Sequence, residues 1–294
     1  MSVPIAVKTD VLIQALPYIQ RYEGKTFVVK YGGAAMIDEE LKETFAQDVT
    51  LLKKIGIKLV VVHGGGKDVT DIAGRLGIPS RFVDGQRYTD DAMMDVVQMV
   101  LAGKTNKDIV AKINQHDGEA VGLCGIDADI LKVTRHSGNG QDLGLVGVVE
   151  KVNTAFLSTL LGSGYMPVVA PIGVDAAWKP HNINADNAAA AIASALEAEK
   201  LVFLSDVEGV LSNGSLIHTI TRADAESMIA SRAISDGMIP KIRAAFRALE
   251  SGVRKVHMID GRVKHSLLLE IFTDEGVGTE LIEAVRAGIT QRMV

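Results

Sequence analysis

Two lysines and one aspartate are the residues of this chain whose types could carry chemistry. Lys30 lies near the end of the apolar run TFVVKY, Asp186 closes the segment HNINAD, and Lys241 follows Pro240 in DGMIPKIRAAF. Pro240 predicts the start of a helix, and the dipole of a first turn disfavours a cation, so Lys241 is better explained by an anion than by stability. The sequence has no nucleophilic triad or cysteine–histidine pair. This set suits phosphoryl transfer, in which lysines offset charge and an aspartate can hold both of them.

Glycine-rich turns follow two of the apolar runs. Gly32 and Gly33 come after TFVVKY, and the segment VVHGGGK places Gly64, Gly65 and Gly66 after the next run. Residues without a Cβ let backbone N–H groups approach an anion, and a helix that begins soon afterwards adds its positive end. The second turn lacks the spacing of a P-loop. The pattern predicts two neighbouring anion sites at one sheet edge, with the reacting group between them.

Further polar residues follow other predicted strands. Arg87, in DGQRYTD, can hold a carboxylate with its forked guanidinium or can simply lie at the surface. In an extended HNINAD segment, Asn182, Asn184 and Asp186 would point to one side, and helix capping explains only one of them. The loop LSDVEGV predicts the nucleotide side of the site, and its candidate residues are Ser205, Asp206 and Gly209.

These residues need a framework that brings strand ends together. Several short β-branched runs are apolar throughout, as a parallel sheet covered on both faces requires. The predicted strands are 26–31, 58–64, 120–125, 166–173, 200–206 and 255–260, the predicted helices 38–55 and 185–198, and 130–152 predicts a hairpin with a glycine-rich tip. We therefore predict an α/β fold, an open and mainly parallel sheet sandwiched between helices, with two lobes and with ligands at the carboxyl ends of the strands.

An additional amphipathic helix is predicted before the first strand. Thr9 or Asp10 can cap it, Pro17 predicts a kink, and Gly24 predicts its end. Its apolar stripe consists of Val11, Leu12, Ala15, Leu16 and Ile19. Such a stripe must be covered, either by the helix's own domain or by another subunit.

Composition and charge exclude several partners. The chain has 294 residues, 47% of them hydrophobic, and a formal net charge of −5 without a dense basic tract, so we expect no nucleic acid and no anionic membrane as a partner. A single cysteine, Cys124, excludes intrachain disulfides and fits a reducing compartment. The N-terminal segment has no apolar signal core, and no run is long enough to span a membrane. The expected location is cytoplasmic.

Six segments in order, KYGGAAM, HGGGK, DGQRYTD, NINAD, LSDVEGV and DGMIPK, closely resemble the amino acid kinase family. Within it the chain looks most like the members that phosphorylate N-acetyl-L-glutamate in arginine synthesis. Single glycine turns are weak signals, whereas six ordered motifs are specific. The resemblance implies an oligomerisation helix at 1–24 and an amino acid kinase domain at 25–294, with an acetylglutamate-binding lobe at about 25–180 and an ATP-binding lobe at about 181–294.

The resemblance also implies a reaction and a role for each motif. ATP would phosphorylate the γ-carboxylate of N-acetyl-L-glutamate to N-acetyl-L-glutamyl 5-phosphate, with Mg²⁺ held mainly by the nucleotide phosphates. Lys30 and Lys241 would stabilise the transferring phosphoryl group, and Asp186 would orient both lysines. The residues on the acetylglutamate side would be Gly64, Gly65, Gly66, Arg87, Asn182 and Asn184. The residues on the nucleotide side would be Gly32, Gly33, Ser205, Asp206 and Gly209.

The N-terminal helix resembles that of arginine-inhibited family members, in which it joins dimers into a hexamer, a trimer of dimers. The arginine site implied by this resemblance consists of Tyr18, His257, Glu270 and Gly276. From the residues alone, His257 can equally be a satisfied core residue and Glu270 a solvated helix position. A nitrogen-signalling regulatory protein is a further partner that we carry as a hypothesis.

Other function classes fit the sequence less well. Carbamate, aspartate and uridylate kinases share the glycine turns, but the Arg87 loop together with NINAD favours an acceptor with an α-carboxylate and an N-acyl group. A dinucleotide-binding oxidoreductase would require a G-x-G-x-x-G fingerprint, which the sequence lacks. A non-catalytic arginine sensor or scaffold would tolerate loss of Lys30, Asp186 or Lys241, and all three are present.

Overall fold

The computed structural model describes residues 4–83, 85–136, 142–212, 214–234, 237–273 and 276–283. The strands are β1 (Thr26–Tyr31), β2 (Lys58–His63), β3 (Phe82–Val83), β4 (Gln86–Arg87), β5 (Ala120–Cys124), β6 (Leu131–Arg135), β7 (Gly147–Val152), β8 (Met166–Ala170), β9 (Ile172–Val174), β10 (Pro180–Asn182), β11 (Lys200–Ser205), β12 (Leu211–Ser212), β13 (Ser215–Leu216), β14 (Thr219–Thr221), β15 (Lys255–Asp260) and β16 (Thr279–Ile282).

The α-helices are α1 (Ile5–Tyr22), α2 (Glu39–Lys54), α3 (Gly66–Arg75), α4 (Asp91–Val97), α5 (Asn106–Asn114), α6 (Thr154–Gly162), α7 (Ala185–Ala195), α8 (Arg222–Ala230), α9 (Ile239–Glu250) and α10 (Ser266–Phe272). A π-helix over Gln98–Thr105 joins α4 to α5, and 3₁₀ turns occupy Gly33–Met36 and Asp127–Asp129. Among the described residues, no helix has the combination of length and apolar character that crossing a bilayer requires.

One large sheet organises the chain. Its eight strands lie in the order β14-β16-β15-β11-β1-β2-β8-β5, and within the described residues every neighbouring pair except β15–β16 is parallel. Four further strands form a second sheet in the order β10-β9-β6-β7. The predicted open, mainly parallel sheet is confirmed. The predicted hairpin is also present as β6–β7, although residues 137–141 of its tip lie outside the described residues.

The large sheet is covered on both faces, and alternation along β1 divides the core. Val28 packs in a cluster that includes Ile192 of α7 and residues of α9, whereas Phe27 and Val29 pack in a second cluster with Val49 of α2 and residues of α10. Because side chains two positions apart in a strand share a face, Lys30 lies on the Val28 face. The helices on that face, α7 and α9, are the ones whose first turns carry the other two candidate catalytic residues.

Helix α7 lies close to the sheet because its buried side is built from small side chains. The buried residues of that side are Asp186, Ala188, Ala189, Ala190, Ile192 and Ala193. The Asn184 side chain caps the helix, since its Oδ1 accepts hydrogen bonds from the N–H groups of Asp186 and Asn187 at 2.9 and 3.1 Å. This cap fixes the turn in which Asp186 lies.

Two element boundaries differ from the prediction. The strand predicted at 166–173 is divided into β8 and β9, because Pro171 has no N–H to continue a ladder, and β9 joins the second sheet. The first helix starts at Ile5 after Pro4, four residues before the predicted caps, and continues without interruption through Pro17. Gly24, at φ +74°, follows its end as predicted.

Candidate functional site

The two lysines and the aspartate meet at one point. Lys30 Nζ lies 3.1 Å from Asp186 Oδ1, and Lys241 Nζ donates a hydrogen bond of 3.0 Å to Asp186 Oδ2. The side chains of Lys30 and Asp186 are each 9% exposed and that of Lys241 is 22% exposed. One carboxylate therefore holds two ammonium groups from a strand and a helix that are distant in sequence.

Burial and the neighbouring charges shift the pKa values of Lys30 and Asp186. Burial lowers the pKa of Lys30, and the charge of Lys241 lowers it further, while Asp186 opposes both effects. Burial alone would raise the pKa of Asp186, but the two lysine charges outweigh burial and lower it below its usual value. The carboxylate is thus ionised at neutral pH.

The two glycine turns lie side by side, as expected from neighbouring strands. Tyr31 of β1 is in register with His63 of β2, and Gly64 N–H donates to Tyr31 O at 2.8 Å. Gly32 and Gly33 are tightly packed: a Cβ on Gly32 would overlap the Lys30 ammonium, and Gly33 has a φ of +73°. Neither position could carry a side chain without displacing its neighbours.

The LSDVEGV loop divides between two places. Asp206 lies at the first glycine turn, where its carboxylate accepts a hydrogen bond from Ala34 N–H. Ser205 ends β11 and donates to Val207 O at 3.3 Å. Gly209, at φ +146°, lies against β16 instead, where a Cβ would come 2.5 Å from Thr279 Oγ1. Its close packing explains the glycine without any ligand.

A cleft of about 210 Å³ opens beside the second glycine turn. Its lining includes all three glycines of that turn, residues 64–66, together with Arg87, Asn182 and Asn184. Gly66 begins α3, so the positive end of that helix lies at the cleft. The residues predicted for the acceptor side therefore line one cavity.

Arg87 is buried rather than a surface residue. Its Nη1 donates to Ser80 Oγ at 2.7 Å, and its Nη2 donates to Gly66 O at 2.8 Å and to Thr70 Oγ1 at 2.7 Å. The guanidinium also lies 4.7 Å from the ring centroid of Phe82. Burial lowers its pKa, although an arginine stays charged at neutral pH. The cation is thus held rigidly at the cleft.

The two asparagines of NINAD differ in what they contact. Asn182 Nδ2 donates to Thr89 Oγ1 at 3.2 Å, which orients its amide at the wall of the cleft. Asn184 is the residue that capping explains, since its carbonyl oxygen is used by the first turn of α7. Its exposed side chain keeps only the amide N–H groups for a ligand.

Two of the residues predicted for an arginine site lie on neighbouring elements, His257 in β15 and Glu270 in α10. His257 Nδ1 is 2.5 Å from Glu270 Oε1, and the other oxygen accepts hydrogen bonds from the N–H groups of Val277 and Gly278 at 2.8 and 3.2 Å. Gly276, at φ +62°, places its backbone so that a Cβ would come 2.9 Å from this carboxylate. Glu270 is buried, so the alternative of a solvated helix position is wrong.

Burial lowers the pKa of His257 despite its contact with Glu270, so the imidazole is neutral at neutral pH. Tyr18 of α1 contacts Phe272 of α10 edge-on, at 6.3 Å between ring centroids. The predicted set is thus grouped around α10, with the N-terminal helix against it.

Sequence reasoning missed a lysine and a histidine. Lys200 begins β11, yet it is buried, its ammonium lies 4.9 Å from the ring centroid of Tyr22, and burial lowers its pKa to about 8 while Glu270 opposes the shift. A charged residue at the start of an apolar strand gives no sign of burial. His63 directly precedes the second glycine turn and is fully buried, and only its position in VVHGGGK could have marked it.

Within the described ranges, no group of three or more His, Cys, Asp or Glu side chains is arranged to hold a metal ion.

Comparison with known proteins gives consistent matches. The model of the amino acid kinase family matches residues 25–260. The acetylglutamate kinase of Pelodictyon phaeoclathratiforme is 56% identical over 95% of this chain and 91% of its own length. An N-acetylglutamate synthase from Neisseria gonorrhoeae, solved with coenzyme A and N-acetyl-glutamate, is 29% identical with a TM-score of 0.84 over 94% of this chain and 63% of that chain. A second structure of this synthase, with coenzyme A and L-arginine, is 28% identical with a TM-score of 0.79 over 94% and 65%.

The carboxylate between the two lysines can be tested by its removal. Asp186→Asn leaves two poorly solvated ammonium groups facing each other, so we expect the free energy of unfolding at pH 7 to fall by about 3 kcal/mol. In the folded variant the pKa of Lys30 is lowered without an opposing carboxylate, whereas the unfolded chain keeps an ordinary value of about 10.4. Stability rises with pH wherever the unfolded state binds more protons. Urea titrations should therefore show that the deficit, which is the free energy of unfolding of the wild type minus that of Asp186→Asn, shrinks as the pH rises towards about 9.5.

Asp48→Asn is the matched control. Asp48 is also buried, its Oδ1 lies 2.6 Å from His265 Nδ1, and burial raises its pKa to about 6. Because this carboxyl is ionised throughout the range from pH 7 upward, the deficit of the control should stay constant there. A deficit of Asp186→Asn that is equally independent of pH would contradict the arrangement.

Proposed function

The chain belongs to the amino acid kinase family and within it to the acetylglutamate kinases, and from this premise we propose that it transfers the γ-phosphoryl group of ATP to the γ-carboxylate of N-acetyl-L-glutamate. The product is N-acetyl-L-glutamyl 5-phosphate, an intermediate of arginine biosynthesis. The observation that carries the proposal is the convergence of Lys30 and Lys241 on Asp186 beside the cleft at the second glycine turn.

The acceptor binds in the cleft. Arg87 and Asn182 hold its α-carboxylate and the adjacent polar groups, since a fixed cation and a fixed amide lie on its walls. Asn184 contributes amide N–H groups from the cap of α7. The N–H groups of Gly64, Gly65 and Gly66 contact the γ-carboxylate, as backbone donors do at helix N-termini.

Phosphoryl transfer needs no proton from the protein. An oxygen of the ionised γ-carboxylate forms a bond to the γ-phosphorus of ATP while the bond from that phosphorus to the β,γ-bridging oxygen breaks, and the electrons leave with ADP. Lys30 and Lys241 neutralise charge on the moving group, and Asp186 fixes the positions of both ammonium groups. Their main contribution is electrostatic, because the chemistry itself requires little from the side chains.

The nucleotide occupies the other side of the lysine cluster. Gly32 and Gly33 offer backbone N–H groups to its phosphates, and Ser205, Asp206 and Gly209 belong to the loop beside it. Mg²⁺ would be held mainly by the nucleotide phosphates and would neutralise part of their charge. In the proposed division into lobes at about 25–180 and 181–294, each lobe serves mainly one side, but Gly32 and Gly33 of the first lobe face the nucleotide, and Asn182 and Asn184 of the second face the acceptor.

We further propose that arginine inhibits the enzyme at the group formed by Tyr18, His257, Glu270 and Gly276, with Lys200 as an additional member. A buried, ionised carboxylate is a partner for a guanidinium, and the N-terminal helix contacts the same region. The likeness to a synthase solved with L-arginine supports this proposal. We also carry forward two hypotheses about this enzyme: that a nitrogen-signalling regulatory protein binds it, and that it is located in the cytoplasm.

The N-terminal helix is proposed to join dimers into a hexamer. Residues of its predicted apolar stripe remain uncovered in the single chain, and Leu12 is 72% exposed, with Val11 and Leu16 exposed beside it. A second copy of the same helix would cover them, which requires a partner subunit.

A coupled ADP-release assay tests the activity. We expect turnover with N-acetyl-L-glutamate and none with glutamate, aspartate or carbamate, because only the first fills the cleft. Lys30→Ala and Lys241→Ala should each lower kcat by about 100-fold or more while the KM values change by only a few-fold, since the contact strengthens in the transition state.

Lys67→Ala serves as the control, because Lys67 follows the same glycine turn but is exposed. It should retain nearly all activity. If the enzyme turned over another acceptor but not N-acetylglutamate, the proposed function would be wrong. If Lys30→Ala and Lys241→Ala changed only KM, the roles assigned to the two lysines would be wrong.

Arginine sensitivity and assembly are tested together. We expect millimolar arginine to inhibit the wild-type enzyme and light scattering to give the mass of six chains. Leu12→Glu places a charge on the uncovered stripe, so it should reduce the mass to that of dimers and weaken inhibition while leaving turnover without arginine intact. Gln14→Glu adds the same charge at another exposed position of α1 and should change neither. Unchanged activity at millimolar arginine would rule out the regulatory proposal.

A further inference from the structure

A buried polar pair lies directly behind the second glycine turn. His63 ends β2, Asn106 begins α5, and the side chains of both are completely inaccessible. Asn106 Nδ2 is 3.1 Å from His63 Nε2, and His63 Nδ1 is 2.7 Å from the carbonyl oxygen of Gly64. Neither side chain touches the cleft, so neither can bind a substrate directly.

The surroundings of Asn106 fix the direction of each hydrogen bond. Its Oδ1 accepts from Lys107 Nζ at 3.0 Å, so the amide nitrogen faces His63. This nitrogen has two protons and three acceptors around it: Val168 O at 2.9 Å, His63 Nε2 at 3.1 Å and, at the longest distance, Leu123 O at 3.3 Å. His63 Nε2 therefore accepts. Burial lowers the pKa of His63 to about 4, and the neutral ring then carries its one proton on Nδ1 and donates it to Gly64 O.

This hydrogen bond sets the orientation of the next peptide group. The described residues contain no cis peptide, and in a trans peptide the N–H points opposite to the C=O. With the Gly64 carbonyl turned back towards His63, the Gly65 N–H points away from the ring, and Gly65 itself lines the cleft. In the described part of the chain, this N–H donates to no protein acceptor.

The π-helix is packed against the same turn. A Cβ on Gly65, at φ +141°, would come 2.6 Å from Leu101 Cδ2, and Thr105 Oγ1 donates to Asp68 Oδ2 at 3.1 Å. Asn106 follows directly where the π-helix ends. π-Helical segments are rare in proteins, and those that do occur frequently lie at functional sites. Here the π-helix brings Leu101 against the glycine and precedes the residue that fixes the histidine.

We propose that His63 and Asn106 are positioning residues for the phosphoryl acceptor: Asn106 selects the tautomer of His63, and His63 turns the Gly64–Gly65 peptide so that its N–H meets the γ-carboxylate. This inference rests on the proposed function and assigns the orientation of one donor within it. The donor is preorganised for the charge of the transition state, because the hydrogen bond that holds it exists before substrate arrives.

Substitution of His63 separates positioning from structure. His63→Leu keeps a side chain of similar size without a donor, and we expect kcat/KM for N-acetylglutamate to fall by about 30-fold or more, while the KM for ATP stays within about twofold. His63→Asn places an amide nitrogen near the position of Nδ1 and should recover at least about tenfold of this loss. A merely structural role would not distinguish the acceptor from ATP or respond to the restored donor.

Leu157→Ala is the control for lost stability. Leu157 is buried in α6, outside all the sites described, so its truncation should lower the melting temperature without a selective effect on the acceptor. Wild-type turnover of N-acetylglutamate is measured first, and its absence would count against the proposed function. An active wild type whose His63→Leu variant keeps its kcat/KM, or whose His63→Asn variant is no better than His63→Leu, would overturn the positioning role alone.

Asn106→Asp provides an independent test through pH. The carboxylate would accept a proton from Nε2, and above the raised pKa of His63 the neutral ring would present a bare Nδ1 to Gly64 O. Lys107 Nζ contacts the substituted side chain, and the charges of Lys107 and Asp68 respectively lower and raise the pKa of His63 in the wild type. We expect kcat/KM of the variant to fall as pH rises through a new ionisation. A pH profile parallel to that of the wild type would contradict the assignment of the tautomer.

Discussion

The ion cluster of Lys30, Asp186 and Lys241 is the constraint on which the rest of the site depends. A buried carboxylate with two ammonium partners is stable only while all three groups keep their contacts, because loss of one partner leaves charge without compensation. Strand β1 and helices α7 and α9 must therefore keep their relative positions, because each carries one member of the cluster. The same requirement keeps the two cations beside both glycine turns.

The parallel sheet supplies the other half of the geometry. Strands β1 and β2 run in register, so their turns lie next to each other, and each turn avoids side chains for a different reason. Gly32 lies against the ammonium of Lys30, whereas Gly65 lies against a leucine of the π-helix. Close packing thus requires glycine at the positions that we propose bind anions, and the packing also fixes the directions of the backbone N–H groups there.

Much of this arrangement could be predicted from residue types and spacing. The apolar runs, the alternation that directs Lys30 and the proline before Lys241 all follow local rules, and the large parallel sheet follows from them. Local rules failed where distant contacts decide the outcome. Glu270 is buried against a histidine thirteen positions earlier, and Lys200 is covered by an aromatic ring of α1. The division of a strand at Pro171 had a local signal in the proline, but the second sheet that β9 joins had none. The link between His63 and Asn106 was hidden because no sequence pattern marks a π-helix.

The alanine-rich side of α7 has a consequence for how the site tolerates change. Alanine has no rotamers, so along most of this side the distance between the helix and the sheet is set by main-chain and methyl contacts, which flexible side chains cannot adjust by repacking. The position of Asp186, in the first turn of that helix, is therefore fixed by the close contact between the helix and the sheet. A larger side chain in place of one of these alanines would therefore move the helix, and Asp186 with it, away from the sheet.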